Sequence, residues 1–245
     1  MVGLGVVGTA TASLLQRLGC EVAVQDISDE AVARCPGWCR PQPWSEPDFT
    51  FICTPESAVA AASEASAGTG LLVVRSTVVP GVVNGLASKL GRHVAAMPEF
   101  LRAAMAWWDV FNPNMVVIGQ CCPEHGEALA SLFSPLLAPV IKVDPDTAAM
   151  VKLCLNAYLT NQVSFWNEVS RVCRHLGVNS LTVGKVAAMD PRVSPYGASV
   201  HGLAPYGGTC LPKDLQQMLD LGHAVGEPCP LLNAVQQVNI SMGGQ

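Results

Sequence analysis

Cys210 sits in Pro205-Tyr206-Gly207-Gly208-Thr209-Cys210-Leu211-Pro212-Lys213-Asp214, the stretch whose residue types come nearest to a covalent catalyst. Two glycines let the backbone approach a ligand closely, and a proline two places past the sulfur can open a helix. A helix N-terminus favours the thiolate, which is the nucleophilic form of cysteine. The commoner fate of a lone cysteine is a packed sulfur on a turn. The other chemistry-bearing residues decide between the two.

Gly3-Leu4-Gly5-Val6-Val7-Gly8 is a GxGxxG followed by a helical pattern through Leu14, Leu15 and Leu18, then a strand over 21–25 and Asp26. A glycine turn opening a helix, with an acid about 20 residues on, is the fingerprint of a dinucleotide site. The glycines admit a pyrophosphate to the helix N-terminus, and Asp26 meets ribose hydroxyls, which favours NAD over its 2′-phosphorylated form. Only Met1 and Val2 precede Gly3, so the first strand is about half the usual length of ~5 residues. Three further polar turns follow apolar runs: Thr54-Pro55 after 49–53, Ser76-Thr77 after 71–75, and Pro98-Glu99-Phe100-Leu101 after 94–97. Ligands of parallel sheets bind at the carboxyl ends of strands, which makes these turns site candidates.

These residues need elements to hold them. The apolar runs, with 115–118 and 140–143, read as buried parallel strands alternating with helices over 57–67 and 124–137. Between Asp26 and Phe49 the pattern supports one short helix and a loop. Asp144-Pro145-Asp146-Thr147 is a helix start, and nothing breaks the helix before Gly177. Lys152 and Asn156, four apart, share one of its faces. Short helices over 181–189, 212–221 and 231–242 complete the chain, with Asp190, Arg192, Tyr196 and His201 in a loop between. The fold class is α/β: an N-terminal Rossmann-type, doubly wound parallel sheet (1–144), then an all-helical domain with one long central helix (145–245).

Composition narrows the function. Half of the residues are hydrophobic, 13% are charged, and the net charge is −5 without a Lys/Arg run, which disfavours nucleic acid and anionic membranes as partners. No apolar run reaches ~18 residues, so no spanning helix is expected. The ten scattered cysteines fit reduced thiols in a cytoplasmic protein. Cys35 and Cys39 flank Pro-Gly-Trp, and Cys121 and Cys122 are adjacent; read without a second ligand pair or a nearby histidine, they are ordinary thiols and no metal is expected.

Taken in order, the GxGxxG, Ser76-Thr77-Val78, Pro98-Glu99-Phe100-Leu101, the Lys152/Asn156 helix with Phe165-x-Asn167-Glu168, and Gly207-Gly208-Thr209-Cys210-Leu211-Pro212-Lys213-Asp214 resemble the UDP-glucose/GDP-mannose 6-dehydrogenase family. The resemblance implies two successive NAD-dependent oxidations of a primary alcohol to a carboxylate, through a thiohemiacetal and then a thioester on Cys210. Lys152 and Asn156 would stabilise the oxyanions, and Glu99 with Thr77 would handle water and protons. Asp214 would orient Lys152 or activate the water, while Lys213 has no assigned step. Gly3, Gly5, Val6, Val7, Gly8, Asp26, Thr54, Pro55, Ser76 and Thr77 would hold NAD. Phe100, Leu101, Arg192, Tyr206, Gly207 and Gly208 would meet the substrate. The family's third, nucleotide-holding domain has no counterpart here, which implies a short form and leaves a sugar, nucleoside or nucleotide open as substrate. Arg102-Ala103-Ala104 and Ala204-Pro205 depart from the family pattern. A homodimer through the 145–176 helix is the expected assembly. Two other readings are a single-step hydroxyacid-type dehydrogenase, which needs no cysteine on a Gly-Gly turn, and a non-catalytic NAD-binding relative.

Overall fold

The structure, a computed structural model, describes residues 1–37, 39, 46–66, 68–198 and 204–244. His201 and the helix end at Ala67 fall outside the described residues. The chain divides into two compact units, Met1–Lys152 and Leu153–Gln245.

The first unit is built on a sheet of β1 (Phe49–Ile52), β2 (Leu71–Val74), β3 (Val94–Ala96), β4 (Val116–Gly119) and β5 (Val140–Val143), hydrogen-bonded in that order. Ahead of β1, Val2 makes parallel bridges to Gln25 on one side and Ile52 on the other. The two expected N-terminal strands are thus reduced to bridges, with Val2 between them. The chain crosses outward to 23–25 and then back over Val2 to β1, which makes the Val2/β1 boundary a topological switch point.

Side chains alternate between the two faces of the sheet, as a pleated strand requires. Phe51, Leu71, Val73, Ala95 and Ile118 face one core with Leu14, Leu15, Leu129 and Phe133 from helices α1 (Val6–Arg17) and α6 (Pro123–Phe133). Ile52, Leu72, Val74, Val94, Ala96 and Val117 face the other with Val59, Val83 and Leu86 from α3 (Glu56–Ala65) and α4 (Val82–Leu90). Both faces are buried, so the strands read as continuous apolar runs. A short α2 (Asp29–Ala33), capped by Ser28, fills the link after Asp26.

Two strands run against the all-parallel expectation: β4 is antiparallel to β3, with Ala96 opposite Gly119, and β5, parallel to β4, shares its direction. The link from β3 to β4 holds a 3₁₀ turn and the six-residue α5 (Ala106–Phe111), which packs on α1. A parallel crossover ordinarily uses a full helix laid along the sheet, and this link has none.

Helix α7 (Pro145–Leu176) starts and stops where the sequence places it. Asp144 accepts hydrogen bonds from the Thr147 N–H (2.9 Å) and hydroxyl (2.5 Å), and Gly177 closes the helix at φ 67°. Asp146 in the first turn accepts from the Gly81 N–H at 2.7 Å and Asn84 Nδ2 at 3.1 Å, at the start of α4. Ala148 and Val151 pack with the sheet, so the first unit ends at Lys152, two turns into the helix, rather than at 144. In the second unit, α7 packs with α9 (Leu211–Ala224) and α10 (Pro230–Ser241) around Ala157, Val163, Leu215, Leu219 and Val235, with α8 (Ser180–Ala187) before them. No helix among the described residues is long and apolar enough to cross a membrane.

Two outcomes are expected. A Cβ on Gly8 would lie 1.8 Å from the Gly3 carbonyl oxygen, whereas one on Gly5 would meet nothing within 4 Å. Gly8→Ala should therefore cost about 1–3 kcal/mol in urea denaturation, and Gly5→Ala less than about 0.5 kcal/mol. The hydrogen bonds from Thr147 hold the Asp144 carboxyl below its usual 3.8. A depressed acid stabilises the fold above its unfolded pKa and ceases to do so as pH falls through its folded one. Asp144→Ala should accordingly lower the thermal midpoint at neutral pH, with the difference from the parent vanishing below pH 3.8.

Candidate active site

At the switch point, Gly3 adopts φ 88°, and a Cβ there would come within 2.8 Å of the Cys53 carbonyl, so only glycine fits this crossing. Gly5 caps α1, whose first turn carries no acid. The first intrahelical bond is from the Thr9 N–H to the Gly5 carbonyl at 2.9 Å. The N–H groups of Val6, Val7 and Gly8 precede that first bond and have no carbonyl within the helix. Asp26 braces the loop: its carboxylate accepts from the Leu4 N–H at 2.6 Å and the Ser28 N–H at 2.9 Å. On the next strand, the Ser76 hydroxyl donates to the Thr54 carbonyl at 2.6 Å, and the Thr54 Oγ1 is buried without a protein partner. An open helix start without acids, open space above Gly5, and an orphaned hydroxyl on the neighbouring strand end fit an anionic dinucleotide. A cavity of about 500 Å³ lies elsewhere, along 19–25 and 46–51, and its lining includes neither the glycine loop nor Asp26.

The carboxyl end of β3 carries a second group. Glu99, nearly buried, accepts from the Leu101 N–H at 2.7 Å through one oxygen and pairs with the Lys152 ammonium at 3.5 Å through the other. Lys152 is only 4% exposed and stands 5.6 Å from the centre of the Phe100 ring. Phe100 thus supports the ammonium, and Leu101 packs into the core. Arg75, at the end of β2, was not among the sequence candidates. It is buried, desolvation lowers its pKa, and Cys53 and Glu99 are within electrostatic reach. Its Nε lacks a partner. The available signal was an arginine closing a wholly apolar strand, directly before Ser76-Thr77.

The second unit builds the cysteine turn. Cys210 is the N-cap of α9 and is exposed, with the Thr209 hydroxyl 3.8 Å from its sulfur. Gly207 and Gly208 are also exposed, and Gly208 takes φ 77°. Asp214, one turn on, is 1% exposed. One of its oxygens accepts a short hydrogen bond from Asn156 Nδ2; the other pairs with Lys213 Nζ at 2.5 Å, which also reaches Gln217 at 3.0 Å. Asp214 therefore holds Asn156, where the expectation was that it orients Lys152 or activates the water, and Lys213 acquires the role of its counterion. Two buried asparagines suspend the approach to the turn: Asn167 donates to the Ala204 carbonyl and Asn239 to that of Tyr206, each at 3.1 Å. Asn167 belongs to a motif seen in the sequence; Asn239, 29 residues past Cys210, had no local signal.

Three expectations change. Tyr206, placed with the substrate residues, is 1% exposed in the helical core, where burial pushes its phenol up to about 12; it packs this unit instead of lining an open site. Arg192 is exposed but held by Asp190 at 2.7 and 3.0 Å. The premise that no histidine stands near Cys121 and Cys122 fails, because His125 Nδ1 is 3.4 and 3.1 Å from the two sulfurs. The Cys122-Pro-Glu-His125 spacing crosses the start of α6 and brings the imidazole back over the cap.

The sequence pattern of the UDP-glucose/GDP-mannose dehydrogenase family matches twice: its NAD binding domain over residues 39–137 and its central domain over 146–241. A GDP-mannose 6-dehydrogenase of Pseudomonas savastanoi pv. phaseolicola is 33% identical over 184 residues, spanning 69% of this chain and 41% of that protein. A UDP-glucose 6-dehydrogenase of Haloferax volcanii is 27% identical, over 98% of this chain and 68% of its own length. The solved structure of a UDP-glucose dehydrogenase from Pyrobaculum islandicum superposes with a TM-score of 0.89 at 28% identity, covering 98% of this chain and 67% of that one. With an NAD binding domain and a central domain matched in the family's order over most of its length, the chain belongs to the UDP-glucose/GDP-mannose dehydrogenase family.

Proposed function

We propose that this chain oxidises a primary alcohol of a sugar nucleotide to the carboxylate in two steps, with Cys210 carrying the acyl group between them. The observation that carries this reading is the exposed Cys210 sulfur capping α9, one turn from a buried carboxylate that fixes an amide donor. The names of the relatives support the substrate class.

NAD would supply the hydride acceptor for each oxidation. Gly3, Gly5 and Gly8, with the N–H groups of Val6 and Val7, would take its pyrophosphate, and Asp26 its ribose hydroxyls. Thr54, Pro55, Ser76 and Thr77 would border it at the strand ends.

In the first oxidation the alcohol gives up a proton, with Glu99 as its acceptor and Thr77 ordering the intervening water. The Cys210 sulfur then adds to the aldehyde carbon, and the new oxyanion is met by Lys152 and by the Asn156 amide proton not given to Asp214. Loss of the second hydride leaves a thioester. Water adds to it, a proton passes to Glu99, and the carbon–sulfur bond breaks to free the thiol. One alcohol and one water yield one carboxylate, two hydrides and three protons. Gly207, Gly208 and Arg192 would contact the substrate, Arg192 by exchanging Asp190 for a phosphate.

A homodimer forms through α7 on this reading. Tyr158, Phe165 and Val172 recur at seven-residue spacing, each more than half exposed, with Leu176 beyond them. A stripe of that period suits packing against its own copy. The ten free thiols suit a reducing cytoplasm.

Incubation with NAD and a panel of sugar nucleotides, nucleosides and nucleoside phosphates should give two NADH per acid formed. Cys210→Ala should cut acid production at least ~10³-fold with NAD binding kept, and Asn156→Ala should cut kcat ~10²–10³-fold. Unchanged turnover in Cys210→Ala would refute the acyl-carrier role, and a ratio of one NADH per product would favour a single-step dehydrogenase. For the dimer, sedimentation of a Tyr158→Asp/Phe165→Asp protein should give half the mass of the parent; equal masses would exclude α7 as the interface.

A further inference from the structure

We propose that His93, Cys121, Cys122 and His125 form a structural Zn(II) site at the end of the sheet where β3 begins and antiparallel β4 finishes. Each offers one donor, and the four donor atoms all lie within 4.8 Å of one another. His125 Nδ1 is 3.4 Å from Cys121 Sγ and 3.1 Å from Cys122 Sγ, and the His93 ring meets the His125 ring edge-on at 4.5 Å between centres. Zinc–sulfur and zinc–nitrogen bonds of about 2.3 and 2.0–2.1 Å at a tetrahedral angle place S and N about 3.6 Å apart. The cluster is within about half an ångström of that for both Cys–His pairs. Two thiols and two imidazoles within reach of one another are a donor set that selects zinc over hard cations.

Topology assembles the site from distant sequence. The β3–β4 pair is antiparallel with Ala96 opposite Gly119, so the same register carried outward sets His93 against Cys122. In a parallel pair, residues before one strand and after the other would lie at opposite ends of the strands. Local geometry fixes the remaining ligand. Cys122 is the N-cap of α6, Pro123 opens the helix, and the Gly126 N–H closes the first turn on the Cys122 carbonyl at 3.1 Å. A Cβ on Gly126 would crowd the Gln120 side chain, its Oε1 at 2.0 Å. Glu124, in the same turn, lies within electrostatic reach of His93 and His125 and can accept from an imidazole N–H not used for metal.

Four protein ligands leave no open position, which is the signature of a structural site. His93 precedes β3 and Glu99 follows it, so roughly 20 Å of extended chain at ~3.3 Å per residue separates the metal from the catalytic carboxylate. Zinc here would clasp the start of β3 to the start of α6, and so anchor the strand whose far end presents Glu99.

The test uses the full chain, reduced and freed of metal, titrated with Zn(II) against a chromophoric chelator and separately with Co(II). One equivalent of zinc per chain is expected, with a rise in the thermal midpoint, and cobalt should show the intense visible absorption of a tetrahedral thiolate site. His93→Ala, at an exposed position, and Cys122→Ser should lose the cobalt spectrum and weaken zinc by more than the ~10–100-fold that losing one hydrogen bond to a ligand costs. A Cys35→Ser/Cys39→Ser protein should bind as the parent does. Circular dichroism establishes that each variant is folded. Absence of stoichiometric zinc on the folded, reduced parent would overturn the proposal. So would parental binding in both His93→Ala and Cys122→Ser.

Discussion

A carboxylate taken out of water is tolerated only when its lone pairs are filled, and breaking such an arrangement leaves an uncompensated charge inside the protein. Asp214 meets that condition with Asn156 on one oxygen and Lys213 on the other. The first bond ties α7 to α9 in the second unit; the second lies within the opening turn of α9, four residues after Cys210. The position of the cysteine cap is thus set by an interaction between two interior groups. Buried Asn167 and Asn239, each grasping a carbonyl of the incoming segment, fix the turn from its other side. The sulfur is exposed, but what holds it is buried.

The first unit follows the same logic with backbone in place of side chains. Gly3 and Gly8 are demanded by contacts with the backbone of Cys53 and of Gly3 itself, whereas Gly5 faces open space. The glycine loop therefore mixes two needs: close packing of the crossing, and room for a ligand over the helix start. Asp26 links them, because a carboxylate accepting from the Leu4 N–H holds the loop while standing where a ribose would be met. Arg75 at the end of β2 and Lys152 on α7 bring cationic charge towards Glu99 past the end of β3, in a setting where burial makes each charge depend on the others.

Much of this was legible because it is local. A Pro-opened helix with an acid cap, a glycine fingerprint, and strands apolar on both faces declare themselves within a few residues, so α7 begins and ends where Asp144 and Gly177 place it. The direction of β4 was not legible: no residue in 97–115 states which way the chain returns, and only the packing of α5 on α1 decides it. The roles of Asp214 and Tyr206 were hidden for the same reason. Asp214 chooses between two polar residues on one helix face, and Tyr206 chooses between a core and a pocket; both choices depend on neighbours far away in the chain. The His93–Cys122 proximity depends on a register that exists only once the strands have paired.

Cys210 differs from most of the cysteines in this chain in being open to solvent. A sulfur accessible enough to receive an aldehyde is equally accessible to peroxide, and oxidation beyond the sulfenic acid is not reversed by thiols. No other cysteine lies in the same turn to trap a sulfenic acid as a disulfide; the nearest in sequence is Cys229, 19 residues on. If Cys210 carries the acyl group as proposed, the turn that exposes its sulfur also leaves the working atom open to oxidation, and a bound substrate would shield it.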